Sequence, residues 1–283
     1  MAIEQPKESL PFKPDLEFSD LENLNSFNAG NIHSLGDKYI VRRFTIKLNE
    51  QEKKSSPEQR KVMITALQQE RITDEKIADS LFEQLHKQYG VAIAPYHRVI
   101  GADTAGGDRA IYTVVNRVEG QPLDELNADE VKKYREQIDR MFTGLFRQLN
   151  DVLTAGGVFH SELLAMQFMA GTMSGHPEMR PDVYLVDLDP FCFEYNPESE
   201  NQETLLSLGV AILRLVGDLE LIDSKLEVKM TNAEQAASTA VRNLLRIQDK
   251  DEFFRSYIDE LAEVSRIIKK VELELSNPTE SFD

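Results

Sequence analysis

Apolar positions recur at helical spacing over most of the chain and at strand spacing chiefly in its first part. In T-D-E-K-I-A-D-S-L-F-E-Q-L-H-K-Q-Y-G, Ile77, Leu81 and Leu85 fall four apart, the interval that stacks side chains on one helical face. Thr73 is placed to cap the start of that helix and Gly90 to end it, because a hydroxyl accepts an orphan N–H and glycine accepts left-handed backbone. Upstream, the charged stretch from Glu50 to about Arg71 contains Ser55-Ser56-Pro57-Glu58. A serine cap before a proline at the first helical position predicts a separate helix there. Further helices are predicted over about 128–154, 202–216, 231–247 and 250–275. The third of these opens on the capping box Thr231-x-x-Glu234. The last carries Phe254, Tyr257, Ile258, Leu261, Val264, Ile268, Val271 and Leu275 on one stripe, which reads as a face turned to a core.

The strand signals come earlier. K-Y-I-V-R-R-F is β-branched and aromatic and follows the turn Gly36-Asp37, so a hairpin ending in an arginine-bearing strand is expected. Two more strands are expected from His97 to Ile100 and from Ala110 to Val118, separated by G-A-D-T-A-G-G-D, with a break at Gly120-Gln121-Pro122. Residues 1–20 carry Pro6, Pro11 and Pro14 without periodicity and read as an extended arm. The expected organisation is this arm, a strand-rich lobe over 21–118 with a helical insertion at 50–72, and a helical lobe over 119–283.

Composition narrows the function classes. With 283 residues, 41% hydrophobic and 29% charged, the chain has ordinary globular chemistry and is long enough for two unequal lobes. The net charge of −17, from 49 acidic against 32 basic residues, opposes binding to a phosphate backbone, so no nucleic-acid partner is expected. The opening M-A-I-E-Q-P-K-E-S has no apolar run, and no later run reaches the roughly 18 to 20 apolar residues a bilayer requires. The expectation is a cytoplasmic protein with no membrane partner. Cys192 is the only cysteine, which rules out an internal disulfide; flanked by Phe191 and Phe193, it reads as a small buried hydrophobe. His33, His86, His97 and His176 have no metal-ligand spacing, and neither H-E-x-x-H nor G-x-S-x-G occurs.

Five segments, in order, resemble the motifs of protein kinases and their small-molecule relatives, the aminoglycoside-phosphotransferase and choline-kinase-like enzymes. A-G-G-V-F-H-S-E-L-L-A-M-Q-F-M resembles the catalytic loop H-x-D-L-x-x-x-N, with His160 and Leu163 in register, Glu162 at the catalytic aspartate and Gln167 at the metal-binding asparagine. V-Y-L-V-D-L-D-P resembles the metal-binding D-F-G or D-F-D segment, with Asp187 at the metal position and Asp189 replacing the usual glycine. L-L-S-L-G-V-A-I-L-R-L-V-G resembles a helix of the same family, with Thr204 where an aspartate is usual. V-V-N-R-V-E-G-Q-P resembles the hinge between lobes, and Y-I-V-R-R-F resembles V-A-I-K with Arg42 at the lysine.

The resemblance spans about Leu24 to Gly217. It implies an α+β, bilobal protein-kinase-like fold with a small β-rich N-lobe and a larger helical C-lobe, using ATP and Mg²⁺. It also implies roles. Arg42, with Gly30 left from a reduced glycine-rich loop, would meet the phosphates, and Asp79, slightly preferred to Glu75, would pair with Arg42. The backbone of Asn116, Arg117 and Val118 would meet the adenine; Gln167, Asp187 and Asp189 would hold Mg²⁺; Glu162 would orient the acceptor hydroxyl. His160 reads as a packed, hydrogen-bonded histidine rather than a base. Two functions stay open: a phosphotransferase binding nucleotide and a small-molecule acceptor, or a pseudokinase whose partner is a protein. Glu162 and Gln167 each add one methylene to the family residue, and only about 20 residues separate Asp187 from Ser207.

Overall fold

The computed structural model describes residues 26–28, 32–35, 37–46, 48–100, 109–176, 179–199, 202–247, 255, 258–259, 262 and 265–276. Gly30, Gly36, the arm over 1–20, the glycine-rich turn after Ile100, and Phe254, Tyr257, Leu261 and Val264 lie outside them. Strands gather in the first part of the chain and helices in the second, an α+β architecture. It divides into two compact units. The first takes the described residues up to Lys76 with Ile93–Gly120 and Gly171–Pro181, and the second takes Ile77–Ala92, Gln121–Ala170 and those from Asp182 onward.

The first unit is built on an antiparallel sheet of β1 (Ser26–Asn28), β2 (Ile32–Leu35), β3 (Tyr39–Ile46), β5 (Tyr96–Ile100) and β6 (Arg109–Asn116), ordered β1-β2-β3-β6-β5. The arginine-bearing strand of the expected hairpin is β3, paired with β2 from Leu35↔Tyr39 to Ile32↔Arg42. Arg42 lies opposite Thr113, and Thr113 opposite Arg98. Directly paired residues share a face, so these three form one row across β3, β6 and β5. Val41 and Val114, also paired, take the other face and are fully buried.

Helix α1 runs unbroken from Pro57 to Tyr89, where two helices had been expected on either side of Thr73. The Thr73 hydroxyl donates to the Gln69 carbonyl at 2.9 Å, which satisfies it inside the helix instead of at a cap. No glycine or proline after Pro57 interrupts the helix. The expected start and stop do hold. Ser56 Oγ accepts the Gln59 N–H at 3.3 Å while Gln59 Oε1 accepts the Ser56 N–H at 3.0 Å, and Gly90 follows Tyr89 with φ +71°. The buried face is Ala78, Leu81, Phe82 and Leu85; Ile77, expected on it, is 39% exposed.

The second unit holds α2 (Ala128–Lys133), α3 (Arg135–Ala155), α4 (Gln202–Asp223), α5 (Thr231–Ile247) and α6 (Arg266–Ser276). The helix expected over 128–154 is interrupted at the buried Tyr134, with φ −101° and ψ 13°. α3 packs against α4 and α5, and α5 against α6. The capping box expected at Thr231 does not form: Thr231 is already helical, and the Glu234 carboxylate is bonded to Arg266 at 2.8 Å. Asp139 on α3 instead accepts the Ala233 N–H at 2.8 Å, putting a carboxylate at the positive end of the helix dipole.

The other strands are β4 (Ala92–Ile93), β7 (Val118–Pro122), β8 (Gly157–His160), β9 (Phe168–Met173), β10 (Asp182–Leu185) and β11 (Cys192–Tyr195). Four form a sheet ordered β4-β10-β9-β7, so the expected break at Gly120-Gln121-Pro122 lies within a strand. β8 and β11 form an antiparallel ribbon in which His160 faces Cys192, and Cys192 is partly exposed rather than buried. Among the described residues, no helix is long and apolar enough to cross a membrane.

Candidate active site

β8 delivers His160, 2% exposed, to the start of a tight loop. Its Nδ1 accepts the Glu162 N–H at 3.1 Å, so the ring proton sits on Nε2, which donates to the Asp189 carbonyl at 2.7 Å. Burial pushes the imidazole below its usual range, opposed by the Asp189 carbonyl bond and then by the carboxylates of Asp187, Glu162 and Asp189. A ring with both nitrogens committed and little tendency to charge orients its neighbours; it is poorly suited to shuttle protons.

The loop then closes on itself. Leu164 N–H reaches the Glu162 carbonyl at 2.9 Å and Gln167 Oε1 at 3.0 Å, and Gln167 N–H returns to the Leu164 carbonyl at 3.0 Å. The longer glutamine side chain thus folds back on its own loop and spends one lone pair there. The Glu162 side chain is partly buried, and among the described residues its carboxylate makes no hydrogen bond or ion pair.

Asp187 and Asp189 follow β10 directly. Val186 N–H donates to the Gln167 carbonyl at 3.0 Å, and the His160 bond holds the Asp189 carbonyl. Two segments some twenty residues apart are thereby locked together. Asp189 N–H approaches Asp187 Oδ1 at 3.3 Å. No group of three His, Cys, Asp or Glu suited to a metal occurs among the described residues. The available set is two carboxylates and an amide carbonyl. These are hard oxygen donors that fit Mg²⁺, a cation satisfied by one or two carboxylates when phosphate and water complete its shell.

Sequence reasoning missed one residue here. Asp218 on α4 accepts the Ala165 N–H at 2.7 Å, across 53 positions of chain. Burial pushes its carboxyl above the usual range, the Ala165 N–H opposes this, and nearby Asp124 adds to it. The available signal was an acid between the buried Val216 and Leu219, on a helix that also carries Glu203, Arg214, Glu220 and Asp223. Thr204, where the resemblance expects an aspartate, lies fourteen residues earlier, about 21 Å along the same helix at 1.5 Å per residue.

In the first unit, Glu75 is 5% exposed and pairs with Arg98 of the Arg42–Thr113–Arg98 row and with Arg71 Nε at 2.8 Å. Arg98 also donates to Thr113 Oγ1 at 2.8 Å. Glu75 is thus a carboxylate set against this row, and Asp79, one turn later on α1, is partly buried. The hinge-like backbone is largely engaged. Asn116 N–H donates to the Pro95 carbonyl at 2.8 Å, Arg117 N–H to the Lys38 carbonyl at 2.8 Å, and the Arg117 carbonyl accepts from Ser174 at 2.8 Å. Val118 opens β7. In the second unit a groove of about 380 Å³ runs along α3, lined by residues that include Tyr89, Arg140, Thr143 and Asn232, and none of Glu162, Gln167, Asp187 or Asp189 lines it.

No protein-family model matches the chain, and no curated protein matches it. Among solved structures it is similar to WaaP in complex with acyl carrier protein, at 12% identity and TM-score 0.39, covering 90% of this chain and 92% of that one. It is also similar to a microcompartment-associated aminopropanol kinase, at 13% identity and TM-score 0.34, covering 89% of this chain and 91% of that one. Neither likeness is high enough to bear on the chemistry of these residues.

Proposed function

We propose that this chain is a phosphotransferase of kinase-like fold that moves the terminal phosphoryl group of ATP to a hydroxyl of a small molecule. The observation that carries the reading is the paired contact of Val186 N–H with the Gln167 carbonyl and of His160 Nε2–H with the Asp189 carbonyl. It brings the carboxylate-bearing segment against the loop that carries Glu162. Asp187, Asp189 and Gln167 would hold Mg²⁺, which when bound neutralises charge on the nucleotide phosphates. As the acceptor oxygen bonds to phosphorus and the bond to the bridging oxygen breaks, the hydroxyl proton passes to the Glu162 carboxylate.

Thermal unfolding with and without ATP and Mg²⁺ tests the binding step. A ligand at 100 times its Kd raises stability by about 2.7 kcal/mol. No shift at millimolar nucleotide sinks the reading. Phosphate transfer should disappear in Asp187→Ala and rise in Glu162→Asp, since a misplacement of about 1 Å costs on the order of 10²-fold.

The second reading, a catalytically impaired scaffold that binds a protein, is favoured by the bonding of Asn116 and Arg117 N–H and by Gln167 Oε1 turning to its own loop. Its signature is a protein that nucleotide stabilises but that transfers no phosphate with or without Glu162→Asp.

A further inference from the structure

We infer that Asp218 is the positioning residue of the loop from His160 to Gln167, acting through the Ala165 N–H, and this rests on the phosphotransferase reading of that loop. The accounting of backbone donors makes the case. Ser161 N–H is taken by the Phe191 carbonyl, Glu162 N–H by His160, Leu164 N–H by Glu162 and Gln167, and Gln167 N–H by Leu164. Most of these partners are the loop's own residues, so they fix its shape and not its place. The Ala165 N–H differs in going to a side chain of another element, at 2.7 Å on α4.

That contact falls where displacement matters most. Ala165 is 3% exposed and begins the single turn Ala165–Gln167. Glu162 precedes that turn by three residues, and Gln167 ends it. α4 is firmly seated, with Leu208, Ile212, Leu215, Val216 and Leu219 all within 2% of full burial. Its C-terminal end is tied by Lys225, whose Nζ donates to the Asp124 carbonyl at 3.2 Å and to the Leu126 carbonyl at 2.8 Å. Beside its bonds to Phe191, Val186 and Asp189, the loop is tied to a well-buried helix by this charge-assisted bond, a stronger link than a neutral pair would give. Asp218 touches no reacting group in this scheme; it acts through the placement of Glu162 and Gln167.

Two variants and two readouts decide the matter. Asp218→Asn keeps an oxygen that can accept from Ala165; Asp218→Ala does not. In Asp218→Ala, hydrogen exchange of peptides covering 161–168 should speed up at least tenfold while that of 205–216 stays as in wild type. The kcat for transfer should fall on the order of 10- to 10²-fold with little change in the KM for ATP. Asp218→Asn should recover both to within a few-fold. Wild-type exchange over 161–168 in a folded Asp218→Ala overturns the inference, as does an Asp218→Asn as impaired as the alanine variant. Should Asp218→Ala fail to fold, Asp218→Asn against Asp218→Leu in the same exchange measurement makes the same distinction. If wild-type protein transfers no phosphate, the functional reading fails, and exchange over 161–168 still decides whether Asp218 anchors the loop.

Discussion

Glu75 is a buried charge shared by two arginines of the first unit, and its removal has a calculable consequence. Its side chain is 7% exposed, and its partners Arg71 and Arg98 are 16% and 11% exposed. Glu75→Gln leaves two shielded guanidinium groups without their shared anion. Breaking a buried pair from one side costs about 3–5 kcal/mol, because the remaining charge has lost its solvent and gained nothing. The lower end is expected. Arg98 retains Thr113 Oγ1 at 2.8 Å, and Arg71 retains the face of Phe44, 4.0 Å from the ring centroid. Urea denaturation would be followed together with hydrogen exchange in β6, so that the unit holding Glu75 is read even if the two units unfold separately. The double variant Glu75→Gln with Arg98→Met should recover part of the loss, since removing both partners of a buried pair is far cheaper than removing one. A Glu75→Gln loss under about 1 kcal/mol, or no coupling between Glu75 and Arg98 in the cycle, would refute the assignment.

Three further outcomes can be checked in the same way. A Cβ at Gly144 would sit 2.3 Å from the Tyr89 carbonyl oxygen, so Gly144→Ala should destabilise by about 1–3 kcal/mol or more and lower the melting temperature, despite the better helix propensity of alanine. His160 is held below its ordinary pKa by burial; the unfolded chain takes up its proton near pH ~6.5 while the folded chain resists. Stability is therefore fully present above that pH and falls as pH drops below it, a slope that His160→Gln should flatten in unfolding titrations between about pH 5 and 7. Asn127 accepts the N–H of Asp129 and Glu130 in the capping box of α2, so Asn127→Ala should cost about 1 kcal/mol in chemical denaturation.

The start of α1 at Ser56-Pro57 and its end at Gly90 could be read from the sequence because the signals are local: a hydroxyl two or three residues from an orphan N–H, and a glycine with φ +71°. What could not be read depended on which of several partners each side chain takes once folded. Thr73 resembles a cap until it is known that the Gln69 carbonyl takes its hydroxyl. Thr231 and Glu234 make a plausible box until Asp139, ninety-four residues away, takes the Ala233 N–H and Arg266 takes the Glu234 carboxylate. At Thr231 local propensity loses because a charge brought by tertiary packing is a stronger partner than a hydroxyl brought by the chain, and at Thr73 a carbonyl of the continuing helix takes the hydroxyl.

The same asymmetry governs the candidate site. The order of motifs drew attention to His160, Glu162, Gln167, Asp187 and Asp189, and the bonds from Val186 to Gln167 and from His160 to Asp189 bring those two segments together. No motif pointed to Asp218, since an acid near the end of a helix has no spacing relation to a loop 53 residues earlier. The pairing of Glu75 with Arg98 was likewise invisible, because it joins α1 to a strand 23 residues later and only the register Arg42↔Thr113↔Arg98 puts that arginine in the row. Chemical identity was therefore legible where a residue acts through its own loop, and illegible where it acts across the fold. The extra methylene of Gln167 sits at the border of the two. Its consequence, an amide turned back to Leu164 at 3.0 Å, follows from chain length alone and ties the reach of that side chain to the shape of the loop. Gln167→Asn should therefore leave the Leu164 N–H with the Glu162 carbonyl alone and alter loop exchange even with no nucleotide present.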